Sequence, residues 1–338
     1  KNNFSFEGNG NLLYQVDNDN IDYFFSNKDK TKNFEIILRI KDNPFEVNYL
    51  NYKKKEENEI VLNFKGSQNK NNELVIKSFN LNEDENFIKI KNLVFNEKLQ
   101  ISGLDEVDLD YFDQDRQKNL LTLKKSKKKY FLTGSSFNAD NFIEDLLSND
   151  DKGSKIIDIN SNLEIDIEKI FLDSEYYLRD FKGDISIKNS EIQKANLIGS
   201  FSKNKKLKFT INSVDNNKIT TLFVDEAKPF VKRYKFIKGF DEGSLDFYSS
   251  KKSKKSVSQI KIYDFKLKEL PILTKILTLA SLQGIADILS GEGIRFTEFE
   301  MNFKNEGNLT TIDEIYAIGP AISILMEGYV EKNKLISL

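Results

Sequence analysis

The stretch "LEIDIEKI", Leu163 to Ile170, places Leu163, Ile165 and Ile167 on one side of an extended chain. Glu164, Asp166 and Glu168 fall on the other side. Successive side chains of a strand point to opposite faces, so this pattern reads as a strand with one dry face and one wet face. The same period recurs from end to end. "IVLNF" aligns Ile60, Leu62 and Phe64, and "LKFTI" aligns Leu207, Phe209 and Ile211. "IKI" gives Ile260 and Ile262, and "FEMNF" gives Phe299, Met301 and Phe303 with Glu300 and Asn302 opposite. Turn-like clusters separate the runs: "EGNGN", "SNDDKGS", "VDNNK" and "KNEGN". Many short one-faced strands and only four prolines predict a mainly β protein whose strands pair antiparallel.

Helical punctuation is sparse. "NADNFIEDLLSND" offers Asn138 or Asp140 as an N-cap, followed by Phe142, Ile143, Leu146 and Leu147 on one helical face. "VDEAKPFVKRYKFI" offers Asp225 as an N-cap, with Pro229 tolerable in the first turn. The third region, "LPILTKILTLASLQGIADILSGEG" (Leu270 to Gly293), is a long aliphatic run without aromatics. Its apolar face includes Ile276 and Leu277 up to Ala280, then moves to the opposite side for Leu282, Ile285, Ile288 and Leu289. Two short helices bending near Gly284 are expected. Lys275, Gln283 and Asp287 argue against a membrane span, because centrally placed charges cost about 2.5–3.5 kcal/mol each on insertion.

Composition narrows the chemistry. Among 338 residues there is no Cys, His or Trp. Thiolate, Ser-His-Asp and HExxH chemistry are excluded, and with them disulfides and the commonest metal ligand. Lys+Arg 51 against Asp+Glu 53 gives a net charge of -2, which is not the basic footprint of a nucleic-acid binder. The chain opens on Lys1 and shows no signal peptide, so a fragment or mature portion of a longer protein is expected.

Few motifs carry chemistry. "LDEVDLDYFDQD" gathers six acids but lacks the calcium-loop frame, and Val107, Leu109 and Tyr111 alternate with them as in a strand with a solvated acidic face. No carboxylate pair stands out for hydrolysis. The lysine runs at Lys124–Lys129 and Lys251–Lys255 read as solvated hairpin ends, with contact to anionic headgroups as the sharper alternative. "GEG" at 291–293 reads as a helix stop, not a phosphate loop. Too few helices exist to cover so many one-faced strands. A sandwich, a closed barrel and a curled sheet with an apolar groove all remain open at this point.

The segment Asp264 to Glu331, with "LASLQGIADILSGEGIRF" and "GNLTTIDEIYAIGPA", resembles the AsmA-like C-terminal region of large Gram-negative envelope proteins. "YFLTGSSFNADNFIEDLLS" and "LFVDEAKPFVKRYKFIKGFDEGSLDF" are similar to the DUF3971-type region that precedes it in that family. The likeness covers residues 130–338, and residues 1–129 by texture alone. It implies three parts: a β-rich part at 1–129, a β segment with short helices at 130–263, and an AsmA-like segment at 264–338 that relatives continue further. It also implies a long curled antiparallel sheet, groove-like or open-barrel-like, with a few short helices over its apolar face.

The function implied is bridge-like lipid transfer in the periplasm, without catalysis or cofactor. The implied partners are phospholipid, the inner membrane through a segment outside this chain, and an outer-membrane partner. On that reading Leu163, Ile165, Ile167, Leu207, Phe209, Ile211, Ile260, Ile262, Phe299, Met301 and Phe303 line the groove. Ile276, Leu277, Leu282, Ile285, Ile288 and Leu289 cover one end of it. The alternative is a non-catalytic envelope assembly factor with a self-buried β core.

Overall fold

The computed structural model describes residues 3–15, 17–141, 160–189, 191–232, 239–268, 293–307, 309–331 and 335–337. The chain divides into two compact units, Lys1–Ile192 and Gln193–Leu338. The partitions drawn from sequence, at 129/130 and 263/264, fall inside single strands. The fold is mainly β, as the alternation predicts.

In the first unit the strands are β1 (Phe4–Tyr14), β2 (Asp17–Lys28), β3 (Thr31–Ile40), β4 (Glu46–Val47), β5 (Tyr52–Lys53), β6 (Ile60–Gln68) and β7 (Leu74–Glu83). There follow β8 (Asn86–Phe95), β9 (Ile101–Gly103), β10 (Glu106–Phe112), β11 (Lys118–Ser126), β12 (Lys129–Asn138), β13 (Ser161–Phe171) and β14 (Tyr177–Lys188). The sheet is a meander, β1-β2-β3-β6-β7-β8, which continues through β9 and β10 side by side along β8. It then runs β10-β11-β12-β13-β14. One pairing departs from the antiparallel expectation: β12 and β13 run parallel. A parallel neighbour needs a long connection, and residues 139–160 separate the two strands in the sequence.

The second unit contains β15 (Glu191–Ser200), β16 (Lys206–Val214), β17 (Asn217–Val224), helix α1 (Lys228–Val231), β18 (Phe240–Lys252), β19 (Lys255–Leu267), β20 (Ile294–Glu306), β21 (Leu309–Ile318), β22 (Ser323–Glu331) and β23 (Leu335–Ser337). From β15 to β23 each strand pairs antiparallel with the next. Among the described residues β1 has β2 as its single partner and β23 has β22, so the strands do not close a barrel.

Local chemistry sets the turns. Asp29-Lys30 and Asp215-Asn216 both adopt positive φ, the geometry of two-residue turns whose twist matches antiparallel strands. The two lysine runs also turn in two residues, Lys127-Lys128 and Ser253-Lys254, with Lys127 and Ser253 at positive φ. "EGNGN" is not a turn; it lies inside β1. The Tyr23 ring of β2 lies across Gly8, and a Cβ there would sit 2.6 Å from the Tyr23 hydroxyl oxygen unless the ring swung aside.

The helix at 228–231 begins later than expected, with Ala227 and not Asp225 before it. Asp225 instead accepts a hydrogen bond from the Lys206 amide at 2.8 Å, which ties the end of β17 to β16. The expected helix after Asn141 and the whole Leu270–Ser290 region lie outside the described residues, and so do Ile276, Leu277, Leu282, Ile285, Ile288 and Leu289. No helix among the described residues is long and apolar enough to cross a membrane.

Candidate functional site: two apolar sheet faces

Register decides what shares a face. In the first unit the paired residues Tyr23, Ile36, Phe64, Phe79, Ile90, Val107, Leu123, Leu132 and Ile165 form one row across nine strands. One step along the strands runs a second row: Ile21, Leu38, Leu62, Leu81, Ile88, Leu109, Leu121, Gly134 and Ile167. At the usual strand spacing each row extends about 40 Å. The second row is buried from Leu62 to Leu121 and at Ile167. The first row is half-buried from Tyr23 to Leu132 and becomes buried at Ile165.

The reverse face is charged and internally paired. Arg39 meets Asp22 at 2.6 Å, Lys65 meets Glu35 at 3.1 Å, and Lys182 meets Asp166 at 3.3 Å. The acidic stretch behaves as its alternation predicts. Val107, Leu109 and Tyr111 take the apolar face, while Glu106 sits between Lys91 at 2.6 Å and Lys124 at 3.2 Å. Hydrogen bonds from those two lysines hold the Glu106 carboxyl below the usual range. Among the described residues no group of acids is arranged to hold a metal ion.

One end of this face is closed by the connection from β3 to β6. Residues 41–59 cross the sheet end as a strap that carries the β4–β5 hairpin. Tyr52 and Tyr111 are fully buried and pack edge-on, centroids 5.7 Å apart. Tyr52 Oη donates to Glu83 Oε2 at 2.7 Å, and Tyr111 Oη donates to the Leu50 carbonyl at 2.7 Å. Glu83, 1% exposed, also accepts from the Lys55 amide at 2.8 Å and from Asn58 Nδ2 at 3.2 Å. Asp113 accepts from Asn138 Nδ2 at 2.8 Å and from Asn119 Nδ2 at 3.2 Å. Burial raises the pKa of both tyrosines, and Glu83 and Asp113 respectively push them further, so both phenols stay protonated and can donate. Tyr52, Tyr111, Glu83 and Asp113 thus all find partners under the strap, which lets it lie over an apolar edge.

The second unit repeats the graded face. Leu207, Val224, Leu245, Ile262, Phe299 and Ala317 form one row, buried except for the half-buried Phe299. Leu197, Phe209, Leu222, Phe247, Ile260 and Met301 form the next row, each half-buried. A third row is more polar. It joins Ala195, Ile211, Thr220, Ser249, Ser258 and Phe303, and Ser258 Oγ donates to Ser249 Oγ at 2.8 Å.

At the buried end of this face Phe265 stacks on Phe240 and Phe296 at 5.3 and 5.2 Å. Asp241 receives Lys228 of α1 at 2.9 Å and Lys268 at 2.6 Å. Hydrogen bonds from Lys268 and then Lys228 lower its pKa to about 2. Across the reverse face Gln259 and Lys261 both bind Glu300, each at 2.8 Å.

The residues singled out from sequence therefore sort cleanly by face. Leu163, Ile165 and Ile167 share the apolar face of the first unit, with Leu163 opposite Ile185 and Ile167 opposite Phe181. Leu207, Phe209, Ile211, Ile260, Ile262, Phe299, Met301 and Phe303 share the apolar face of the second. Sequence reasoning missed the half-buried core of the first face, notably Tyr23, Ile36, Phe79, Ile90 and Leu132, although Phe79 and Ile90 alternate with polar neighbours. It also missed the strap, whose tyrosines carry no periodic signal. Searches against family models, curated proteins and solved structures find no match to the chain.

Proposed function

We propose that the chain binds phospholipid by laying acyl chains along the apolar sheet face of each unit, as part of a bridge-like lipid-transfer protein of the Gram-negative periplasm. The observation that carries this reading is the half-buried row beside the buried one. A face that packed against its own protein would be buried throughout. A row of Ile, Val, Leu, Phe and Tyr left half open across eight strands is an apolar surface of the kind that marks binding. Each CH₂ of an acyl chain costs ~0.8 kcal/mol to expose, so two chains forfeit on the order of 20 kcal/mol in water. A sheet with one apolar and one charged face offsets that cost without catalysis.

The resemblance of residues 264–331 to AsmA-like envelope proteins supports the same reading, with an inner-membrane anchor beyond this chain and an outer-membrane partner. A photo-crosslinking amino acid at Phe79 tests it. Phe79 lies on the half-buried row, whereas its neighbour Asn80 pairs with Lys89 on the reverse face. Phospholipid adducts are expected at position 79 and not at 80. Equal yields at both positions, or none at either, would contradict the proposal.

A further inference from the structure

The strap closes one end of the first unit's apolar face; the other end is bounded by hairpin tips, and the β11–β12 tip is the lysine run. Lys125, Lys127 and Lys128 line an open pocket of about 550 Å³ there, together with Ser102, Ser161 and Tyr130. Two features separate this run from a merely solvated tip. The first is continuity with the apolar face. Tyr130 is buried and pairs with Leu163, one step along the strands from the Leu132–Ile165 pair of the half-buried row. The second is the way the pocket is built. Tyr130 Oη donates to the Leu104 carbonyl at 2.8 Å, and Ser161 Oγ donates to the Lys128 carbonyl at 3.2 Å, which pins the β13 start to the tip. Asp105 pairs with Lys125 at 3.8 Å, and the same ammonium lies 5.9 Å from the centre of the Tyr130 ring. Among the described residues that line the pocket there are three ammonium groups and no carboxylate, which leaves it positive even with Lys125 paired to Asp105. Lys–phosphate attraction is the chemistry that such a site offers.

We propose that this pocket binds the phosphate of an anionic lipid headgroup while the lipid's chains lie on the adjoining apolar face. The inference rests on the acyl-chain reading above and adds headgroup selectivity to it. The test titrates the whole chain with fluorescently labelled phosphatidylglycerol and with diacylglycerol bearing the same label and chains. The phosphate-bearing lipid is expected to bind on the order of 100-fold tighter, the combined attraction of three lysines for an anionic group. The combined substitution Lys125→Gln, Lys127→Gln and Lys128→Gln should bring that ratio close to one and leave diacylglycerol binding unchanged. Raising salt should do the same by screening.

An unchanged ratio in the lysine variant, with both lipids still bound, would overturn the pocket and leave the acyl-chain reading standing. Failure of the wild-type chain to bind either lipid would overturn that reading and this one with it. Lysine-dependent binding of inorganic phosphate together with a ratio of one would make the pocket a free-anion site and overturn the lipid assignment.

Discussion

Phe299 and Glu300 are consecutive in β20 and face different surroundings. Phe299 sits half-buried between Ile262 and Ala317, and Glu300 pairs with Lys261 on the reverse face. Phe299→Asp should abolish most lipid binding by placing a charge where an acyl chain lies. Glu300→Lys should leave binding intact and lower stability by about 1 kcal/mol, through loss of a partly exposed ion pair and a new Lys–Lys contact. Lipid co-purification and thermal melts separate the two outcomes, and equal losses of lipid would count against the assignment of faces. At the strap, Tyr52→Phe removes a donor from a carboxylate that is 1% exposed. The expected cost is about 1–3 kcal/mol, read from urea unfolding. Tyr52→Phe combined with Glu83→Gln should cost less than the sum of the two single changes, because the orphaned charge is gone.

Elements add constraints that single contacts do not show. β6 and β7 slip register between Lys65 and Gly66, so that Gly66 faces Phe34 on one side and Ile76 on the other. A Cβ on Gly66 would overlap the Val75 carbonyl oxygen and the Phe34 ring. Backbone cannot move aside, so Gly66→Ala should destabilise by about 1–3 kcal/mol with an unchanged m-value. A neutral result would show that the irregularity is pliable.

In the second unit Asp241 links α1 to the end of β19 through two lysines. Its folded pKa of about 2 lies below the ordinary 3.8, so its stabilisation is complete above the higher value and is lost as pH falls toward the lower one. The chain should therefore melt at progressively lower temperature as pH falls from about 4 to about 2. Asp241→Asn should flatten part of that slope. Asp246, raised by burial and by Asp225, contributes with the opposite sign, so the variant at Asp241 and not the total slope is the informative measurement.

Across the whole chain, what could be read from sequence was the assignment of residues to faces. Period two is local, and it placed Ile165, Phe209 and Met301 on apolar faces from three or four neighbouring letters each. What could not be read depends on partners far along the chain. The parallel β12–β13 pair carries the same alternation as an antiparallel one, so residues 163–167 gave no hint of direction. Gly8 and Gly10 resembled a turn because nothing local shows that a tyrosine of β2 lies against one of them. Half-burial of the Tyr23–Leu132 row is a property of eight strands together, and no window of sequence contains it.

That row is also where the central claim can be tested most directly. Native mass spectrometry of the purified chain, with lipid extraction from the same sample, should show bound phospholipid. The lipid should be lost when Phe79 and Ile90 are both changed to Asp and the far-ultraviolet signal of the sheet is kept. A single lipid-free mass for the unaltered chain, with a cooperative melt, would mean that the apolar faces bury themselves and would contradict the account.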